Sequence, residues 1–443
     1  MFHTICLYKK LALAEYKQID TILPKYSKPF LIKEIPLKDH PDKYTFRRYG
    51  FAHFVGIEGV GMYLTKKKTY FDGFVDTRSY LHLVINPKVI LNIDYISVAN
   101  EIDAVFAFHE IDRLFCGMGI SLTCADFKPS RIDCCFNCQF LDAHGRPSDE
   151  MANDYMKLLK KGKTPTGFKL GGYYSESGRR FVPFHDSLVY AQNYRNSYGN
   201  QVKSVVINIY NKYKEMEGKI EENPCTYYSN DDEEDGNEFL EAANYKYERD
   251  NRITLNNAYG IVRFEVQLYY QKLYNTTRST RWGFDSLNIN NFISDRFTES
   301  MLLEYLGKIC FAGDYFTLDG AREQIANYPF SHQKTKESLL TLLAQVSRQK
   351  GWKAAAERFG QTTETVYENA YDSLSPNRVK NLLNWLDKIG VNPVTIPQGW
   401  SSNFFPSPIS IIRNAIRANS ELHPYDSVPM LFFYDDTSLF HES

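Results

Sequence analysis

Val262-Arg-Phe-Glu-Val-Gln-Leu268 alternates apolar and polar residues at a period of two, as a β-strand with one buried side does. Val262, Phe264, Val266 and Leu268 form the apolar side, and Arg263, Glu265 and Gln267 the other. Three further segments share the pattern. Leu81-His-Leu-Val-Ile-Asn-Pro87 sets Leu81, Leu83 and Ile85 against His82 and Asn86. Arg131-Ile-Asp-Cys-Cys-Phe-Asn137 sets Ile132, Cys134 and Phe136 against Arg131, Asp133 and Asn137. Val205-Val-Ile-Asn-Ile-Tyr-Asn-Lys212 sets Val205, Ile207 and Ile209 against Asn208, Tyr210 and Lys212. A sheet covered by helices on its apolar side leaves the polar side open to a ligand. That side then carries a histidine, two carboxylates, a tyrosine and several cations.

Helical periodicity separates these strands. Ile96 to Phe115 carries an apolar stripe, and a second stripe of Met151, Tyr155, Leu158 and Leu159 predicts a helix over about 149–161. The expected fold is α+β: a central, mostly antiparallel sheet with helices on one face, then a small helical domain. Residues 1–77 read as a strand-rich part of the same region, with Gly56-Ile-Glu-Gly-Val-Gly61 as a turn. Residues 78–297 form the main domain, and 298–396 the helical one. In the latter, Leu339-Leu-Thr-Leu-Leu-Ala344, Ala354-Ala-Ala-Glu-Arg-Phe359 and Val379-Lys-Asn-Leu-Leu-Asn-Trp385 are helical cores. Ser375-Pro376 starts the last of these, and Gly390 and Pro393 close it. Residues 397–443 read as an irregular tail.

The chain has 443 residues, 43% of them hydrophobic, enough for ordinary cores in two or three domains. No apolar run reaches membrane-spanning length, so no membrane partner is expected. The eight cysteines are scattered, which fits a reducing cytoplasm, and Cys135 and Cys138 lack the second pair that a zinc site needs. Net charge is -1, yet residues 221–250 hold eleven acidic and two basic residues, so the remainder stands at +8. A mildly basic body suits a polyanionic partner, and Asp231-Asp-Glu-Glu-Asp-Gly236 reads as an insertion without a core.

Tyr210 is the candidate nucleophile, with Lys212 and Lys214 expected on the same strand face to stabilise a phenolate or contact a phosphate. Tyr190, Tyr194, Tyr198 and Tyr213 are rivals. His82, Asp133 and Glu265 are the candidate metal ligands, a set suited to Mg²⁺ or Mn²⁺. His53, His109 and His185 are alternative imidazoles. The competing reading pairs Asp133 with Arg131 and Glu265 with Arg263 as salt bridges.

Ser130-Arg-Ile-Asp133, Val206-Ile-Asn-Ile-Tyr-Asn-Lys-Tyr-Lys-Glu215 and Val262-Arg-Phe-Glu-Val-Gln267 resemble, in this order, the motifs of rolling-circle replication initiators. The likeness is to the replication endonuclease of filamentous phages and the initiators of Gram-positive plasmids, related to the HUH nicking enzymes. Ile85-Asn-Pro-Lys88, Tyr371-Asp-Ser-Leu-Ser-Pro-Asn-Arg378 and Leu386-Asp-Lys-Ile-Gly-Val-Asn-Pro393 extend the resemblance over about residues 78–395. It implies an HUH-like or RRM-like nicking domain in which Tyr210 attacks a phosphodiester at an origin. The products are a 5′-phosphotyrosine and a 3′-hydroxyl primer, and the strand is later rejoined. It also implies origin DNA, duplex and single-stranded, as partner, with host helicase and polymerase, in the cytoplasm of a bacterial cell. The chain departs from the pattern in having one histidine at Leu81-His-Leu-Val rather than a His-hydrophobic-His triplet.

For DNA contacts, Gly351-Trp-Lys-Ala-Ala-Ala-Glu-Arg-Phe-Gly360 followed by Thr362-Thr-Glu-Thr-Val366 reads as a helix-turn-helix opening. Lys353, Arg358, Arg378, Lys380 and Lys388 are candidate phosphate contacts there, and Arg131 and Arg263 on the sheet. Tyr269, Tyr270, Lys272 and Arg278 offer stacking for unpaired bases. Two other functions fit the same residues: a non-catalytic DNA-binding initiator or regulator, and a nuclease that hydrolyses through metal-bound water.

Overall fold

The computed structural model describes residues 1–37, 40–51, 54, 57–71, 74–93, 96–174, 181–195, 201–222, 255–361, 376–421 and 431–433. The fold is α+β, with a large antiparallel sheet and a helical C-terminal region, as expected. The strands are β1 (Phe2–Leu11), β2 (Phe30–Leu37), β3 (His40–Phe51), β4 (Val60–Phe71), β5 (Phe74–Ile85), β6 (Lys128–Phe140), β7 (Lys169–Leu170), β8 (Gly172–Tyr174), β9 (Phe181–Pro183), β10 (Ser187–Arg195), β11 (Gln201–Asn211), β12 (Ile261–Tyr269), β13 (Tyr315–Phe316), β14 (Phe404–Phe405) and β15 (Leu431–Phe433). Hydrogen bonds link them in the order β2-β3-β4-β5-β1-β6-β12-β11-β10-β7, and β15 runs parallel to β6. Arg131–Asn137 and Val262–Leu268 lie on β6 and β12; Leu81–Ile85 lies on β5, with Asn86 and Pro87 beyond its end, and Val205–Asn211 lies on β11, with Lys212 beyond its end. Among the described residues, no helix is long and apolar enough to cross a membrane.

The chain divides into two compact units. The first comprises Met1–Phe136, Gln192–Val206 and Glu265–Ser300. Its core takes Phe2, Ile5 and Leu7 of β1, Met62 and Leu64 of β4, and Leu81, Leu83 and Ile85 of β5, all at most 1% exposed. The helix Glu101–Gly117 adds Ala104, Ala107, Ile111 and Phe115. It starts at residue 101 and not 96 because Asn100 and Asp103 cap each other: Asp103 N–H donates to Asn100 Oδ1 at 2.8 Å, and Asn100 N–H to Asp103 Oδ2 at 2.9 Å. Ile96 and Val98 are buried in the segment before it.

The second unit comprises Asn137–Ala191, Ile207–Phe264 and Met301–Ser443. The helix Asp149–Lys160, capped by Ser148 (Met151 N–H to Ser148 Oγ, 3.3 Å), packs Tyr155 against Phe140 at 4.7 Å and Phe405 at 5.6 Å between centroids. The Tyr155 hydroxyl donates to the Pro406 carbonyl at 2.8 Å, so this large buried side chain leaves no polar atom unmet. The helix Pro376–Ile389 ends where expected, at Gly390 with φ +80°, and Val391 N–H closes back onto Leu386 O at 3.0 Å. Beyond residue 397 the chain is more regular than expected. It carries β14, the helix Pro408–Glu421 and β15, because apolar residues such as Ile409, Ile411 and Ile412 supply a stripe that packs inward.

Gly260 holds the start of β12 beside the end of β6. Its φ is +71°, its carbonyl accepts Phe140 N–H at 2.8 Å, and a Cβ there would lie 2.8 Å from both Phe140 O and Ser148 N. Gly260→Ala is expected to lower stability by about 1–2 kcal/mol from backbone strain alone, and further from the clash. Chemical denaturation checks this, and an unchanged midpoint would show that the turn relaxes freely.

Candidate active site

In the first unit, a group able to hold a metal ion is formed by His3, Asp133 and Glu265, whose ligand atoms all lie within 4.8 Å of one another. They come from three successive strands, β1, β6 and β12. Neighbouring strands lie roughly 5 Å apart, so side chains from the two flanking strands can reach inward to Asp133. A β-bulge helps. Phe2 pairs with Cys134 and Ile5 with Ile132, so both His3 and Thr4 oppose Asp133. Thr4 Oγ1 lies 3.1 Å from His3 Nδ1 and orients the ring.

The polar side is not open here, as alternation alone suggested. Asp133 is 1% and Glu265 4% exposed. Buried carboxylates need partners. Arg131 donates through Nε to Asp133 Oδ1 at 2.6 Å and through Nη2 to Oδ2 at 2.5 Å, so the same-strand salt bridge does form. Gln267 Nε2 donates to Glu265 Oε1 at 2.5 Å, and the Tyr269 hydroxyl to Gln267 Oε1 at 3.0 Å. The Arg131 guanidinium lies 5.6 Å from the Tyr269 ring centroid. The donor set, one imidazole and two carboxylates, fits Mg²⁺ or Mn²⁺.

Burial, and then the neighbouring Glu265 charge, push the Asp133 carboxyl up from 3.8 to about 7, against the opposing pull of Arg131. The folded chain therefore binds more protons than the unfolded chain between those two values. The contribution of this protonation to stability is complete below 3.8 and is lost as pH rises through about 7. Metal ligation needs the carboxylate form, so the rise in melting temperature on adding Mn²⁺ is expected to be larger at about pH 8 than at about pH 6. Thermal denaturation with and without Mn²⁺ at both pH values tests this; a shift equal at both would remove Asp133 from the ligand set.

His82, named from the sequence as a ligand, is not in this group. It lies on β5 opposite Tyr8 and Tyr63, with ring centroids 6.3 Å from Tyr8 and 6.1 Å from Tyr80. Burial, then the charge of Arg48, pulls its pKa down to about 4, so it is neutral near pH 7. His109 and His185 are exposed, His185 beside Asp186 at 2.7 Å, and His53 lies outside the described residues. Sequence reasoning missed His3. The signal was the phase break in Phe2-His-Thr-Ile-Cys-Leu, where a strict period of two fails between Phe2 and Ile5.

In the second unit, β11 ends at Asn211, and Lys212 and Lys214 lie on the helix Lys212–Glu222, not on a continuing strand face. The cause is Asn211: its Oδ1 accepts Lys214 N–H at 3.1 Å, capping the helix. Its Nδ2 donates to Asp149 Oδ1 at 2.6 Å and Asn153 Oδ1 at 3.0 Å. The change of period brings Lys212 and Glu215 together at 2.7 Å. Lys212 is fully buried, with Nζ 5.9 Å from the Tyr210 ring centroid, and Tyr210 is 8% exposed. Lys214 pairs with Glu217 at 2.9 Å and lies 5.2 Å from the Tyr213 ring. Tyr190 is buried, Tyr194 is exposed, and Tyr198 lies outside the described residues.

Of the cations assigned to DNA, Lys353, Arg378 and Lys380 are exposed, and Arg378 Nη2 donates to Ser338 Oγ at 2.5 Å. Arg263 is fully enclosed, and its Nε donates to Asn137 Oδ1 at 2.8 Å, which is an internal tie and not a phosphate contact. Arg358 falls in the helix Trp352–Gln361. The second half of the helix-turn-helix reading and most of the acidic stretch 221–250 lie outside the described residues.

No family model and no curated protein matches this chain. Among solved structures, it is similar to a rolling circle replication initiator protein from Geobacillus stearothermophilus, at 11% identity and a TM-score of 0.28, covering 70% of this chain and 84% of that one. It is also similar to the di-domain ARO/CYC StfQ from the steffimycin biosynthetic pathway, at 7% identity and a TM-score of 0.12, covering 68% of this chain and 99% of that one.

Proposed function

We propose that this chain is a metal-dependent DNA strand transferase that nicks and rejoins DNA through Tyr210 to initiate rolling-circle replication. The observation that carries the reading is the buried group of His3, Asp133 and Glu265, two of whose members sit in the Arg-Ile-Asp and Arg-Phe-Glu motifs. His3, Asp133 and Glu265 would hold Mg²⁺ or Mn²⁺, which supplies Lewis-acid polarisation of a phosphate oxygen when bound. Arg131 fixes the Asp133 carboxylate by a two-point contact, and Gln267 and Tyr269 orient Glu265. Tyr210, in the Tyr-x-Lys-x-x-Glu motif, is the assigned nucleophile, and the buried Lys212 ammonium, paired with Glu215, lies beside its ring. Attack on phosphorus forms the tyrosyl phosphodiester and frees a 3′-hydroxyl. Bond energy is retained, so a later hydroxyl attack restores the strand.

The test is incubation of the full chain with a supercoiled plasmid carrying its own coding sequence and flanks, with Mg²⁺ or Mn²⁺. Expected products are nicked circles with protein covalently attached at the 5′ end. Nicks with free 5′-phosphate would replace this reading with metal-dependent hydrolysis, and binding without nicks would replace it with a non-catalytic initiator.

A further inference from the structure

The helix Gln333–Arg348 ends in a turn that is ordinarily built on glycine. Lys350 N–H donates to Ser347 O at 3.0 Å and Gly351 N–H to Val346 O at 3.2 Å, which is the Schellman arrangement. The residue that reverses the chain is Lys350, at φ +59°. A Cβ is strained there and glycine is not, so local folding gives no reason for lysine. Strained positions concentrate at ligand sites, and the strain directs attention to what the side chain faces.

Lys350 lines a cavity of about 290 Å³ together with Lys161, Ser347, Thr395, Val394 and Pro397. The turn is bound to Lys161 directly, since Trp352 N–H donates to the Lys161 carbonyl at 2.9 Å. Two lysines therefore line one space, and none of the described residues lining it is acidic. Asp154, the nearest carboxylate to Lys161 in its electrostatics, is already taken by Lys157 at 2.8 Å. Burial pulls the Lys161 ammonium pKa down, so an anion placed beside it is stabilising. Lys161 Nζ lies 5.4 Å and Lys157 Nζ 5.6 Å from the Trp400 ring centroid, which adds an aromatic surface next to the lysines.

We propose that this cavity binds a nucleoside monophosphate unit. Its phosphate sits between Lys161 and Lys350, with Ser347 and Thr395 as hydroxyl partners, and its base lies against Val394 and Pro397. Lysine suits a phosphate as a point charge, a dianion matches two ammonium groups, and the volume lies at the small end of ligand sites, enough for one nucleotide. The unit can be a free nucleotide or one residue of a DNA strand. The pocket does not draw on the nicking assignment, and its test is independent of Tyr210.

The experiment titrates the full chain with thymidine 5′-monophosphate, thymidine and a dT oligonucleotide, followed by tryptophan fluorescence and thermal denaturation. Saturable binding of the monophosphate is expected, with thymidine weaker by about tenfold or more. Lys350→Gly is expected to melt at the same or a higher temperature, because it relieves the strained turn, and to bind the monophosphate about tenfold more weakly or worse. If the same variant also loses the oligonucleotide, the pocket takes a strand residue; if the oligonucleotide is unaffected, it takes the free nucleotide. No saturable response up to about 10 mM, or equal affinity in Lys350→Gly, overturns the proposal.

Discussion

Tyr210→Phe should eliminate covalent protein–DNA adducts while leaving Mn²⁺ binding and the melting temperature close to those of the parent chain. The change removes one hydroxyl and keeps the ring, so the packing of an 8% exposed side chain on β11 survives. Without a nucleophile the covalent step has no route, since phenylalanine cannot form a bond to phosphorus. Rate loss should therefore amount to several orders of magnitude, not a modest decline. The buried Lys212 provides a second readout. It stays paired with Glu215, at 2.7 Å in the parent chain, so a large drop in stability would point to a structural hydroxyl instead. Adducts that persist in Tyr210→Phe would transfer the role to another tyrosine. Adduct mapping by peptide mass spectrometry would identify it, Tyr213 and Tyr190 being the first to examine.

Asp133→Asn and Glu265→Gln should each lower Mn²⁺ affinity by at least on the order of 10²-fold, since loss of outer-shell partners alone costs about 10–100-fold. Nicking should fall with it. The two variants differ in their effect on the fold. Asp133 meets both guanidinium donors of Arg131, and the amide NH2 introduced by Asp133→Asn turns a donor toward one of them. Asp133→Asn is therefore expected to cost about 1–3 kcal/mol of stability as well. Glu265 accepts from Gln267, a neutral donor, and the amide oxygen introduced by Glu265→Gln can accept that bond too. This second variant should therefore cost about 1 kcal/mol. Isothermal titration with Mn²⁺ and denaturant melts separate the terms. A Glu265→Gln variant that keeps full Mn²⁺ affinity would sink the three-ligand site, whatever its effect on stability.

Much of the fold can be read along the chain. A period of two located β5, β6, β11 and β12, an apolar stripe located the helix Asp149–Lys160, and Ser375-Pro376 located the start of Pro376–Ile389. Local rules served here because each depends on residues within one turn or one pleat. Where a nearby side chain redirected the backbone, strand reading ran on too far. Asn211 is the example: its side chain accepts an amide proton three residues on, and strand becomes helix under a sequence that still alternates.

The site was legible in part. Asp133 and Glu265 stand out in sequence because each is a carboxylate between apolar strand neighbours, and tertiary structure places them together. His3 does not stand out. It lies far from Asp133 along the chain, and its direction depends on a bulge that exists only when β1 pairs with β6. His82 sits in a similar local pattern, yet its strand is separated from β6 by β1, so it faces tyrosines. The amino-acid sequence by itself determined which residues lie on strands, which side of each is apolar, and which carboxylates are candidates. Strand order, the bulge and the enclosure of the polar side were decided by tertiary structure alone. The reason is that periodicity is a property of a few consecutive residues, whereas a coordination sphere needs donors from separate strands, and those distances arise only when the strands pair.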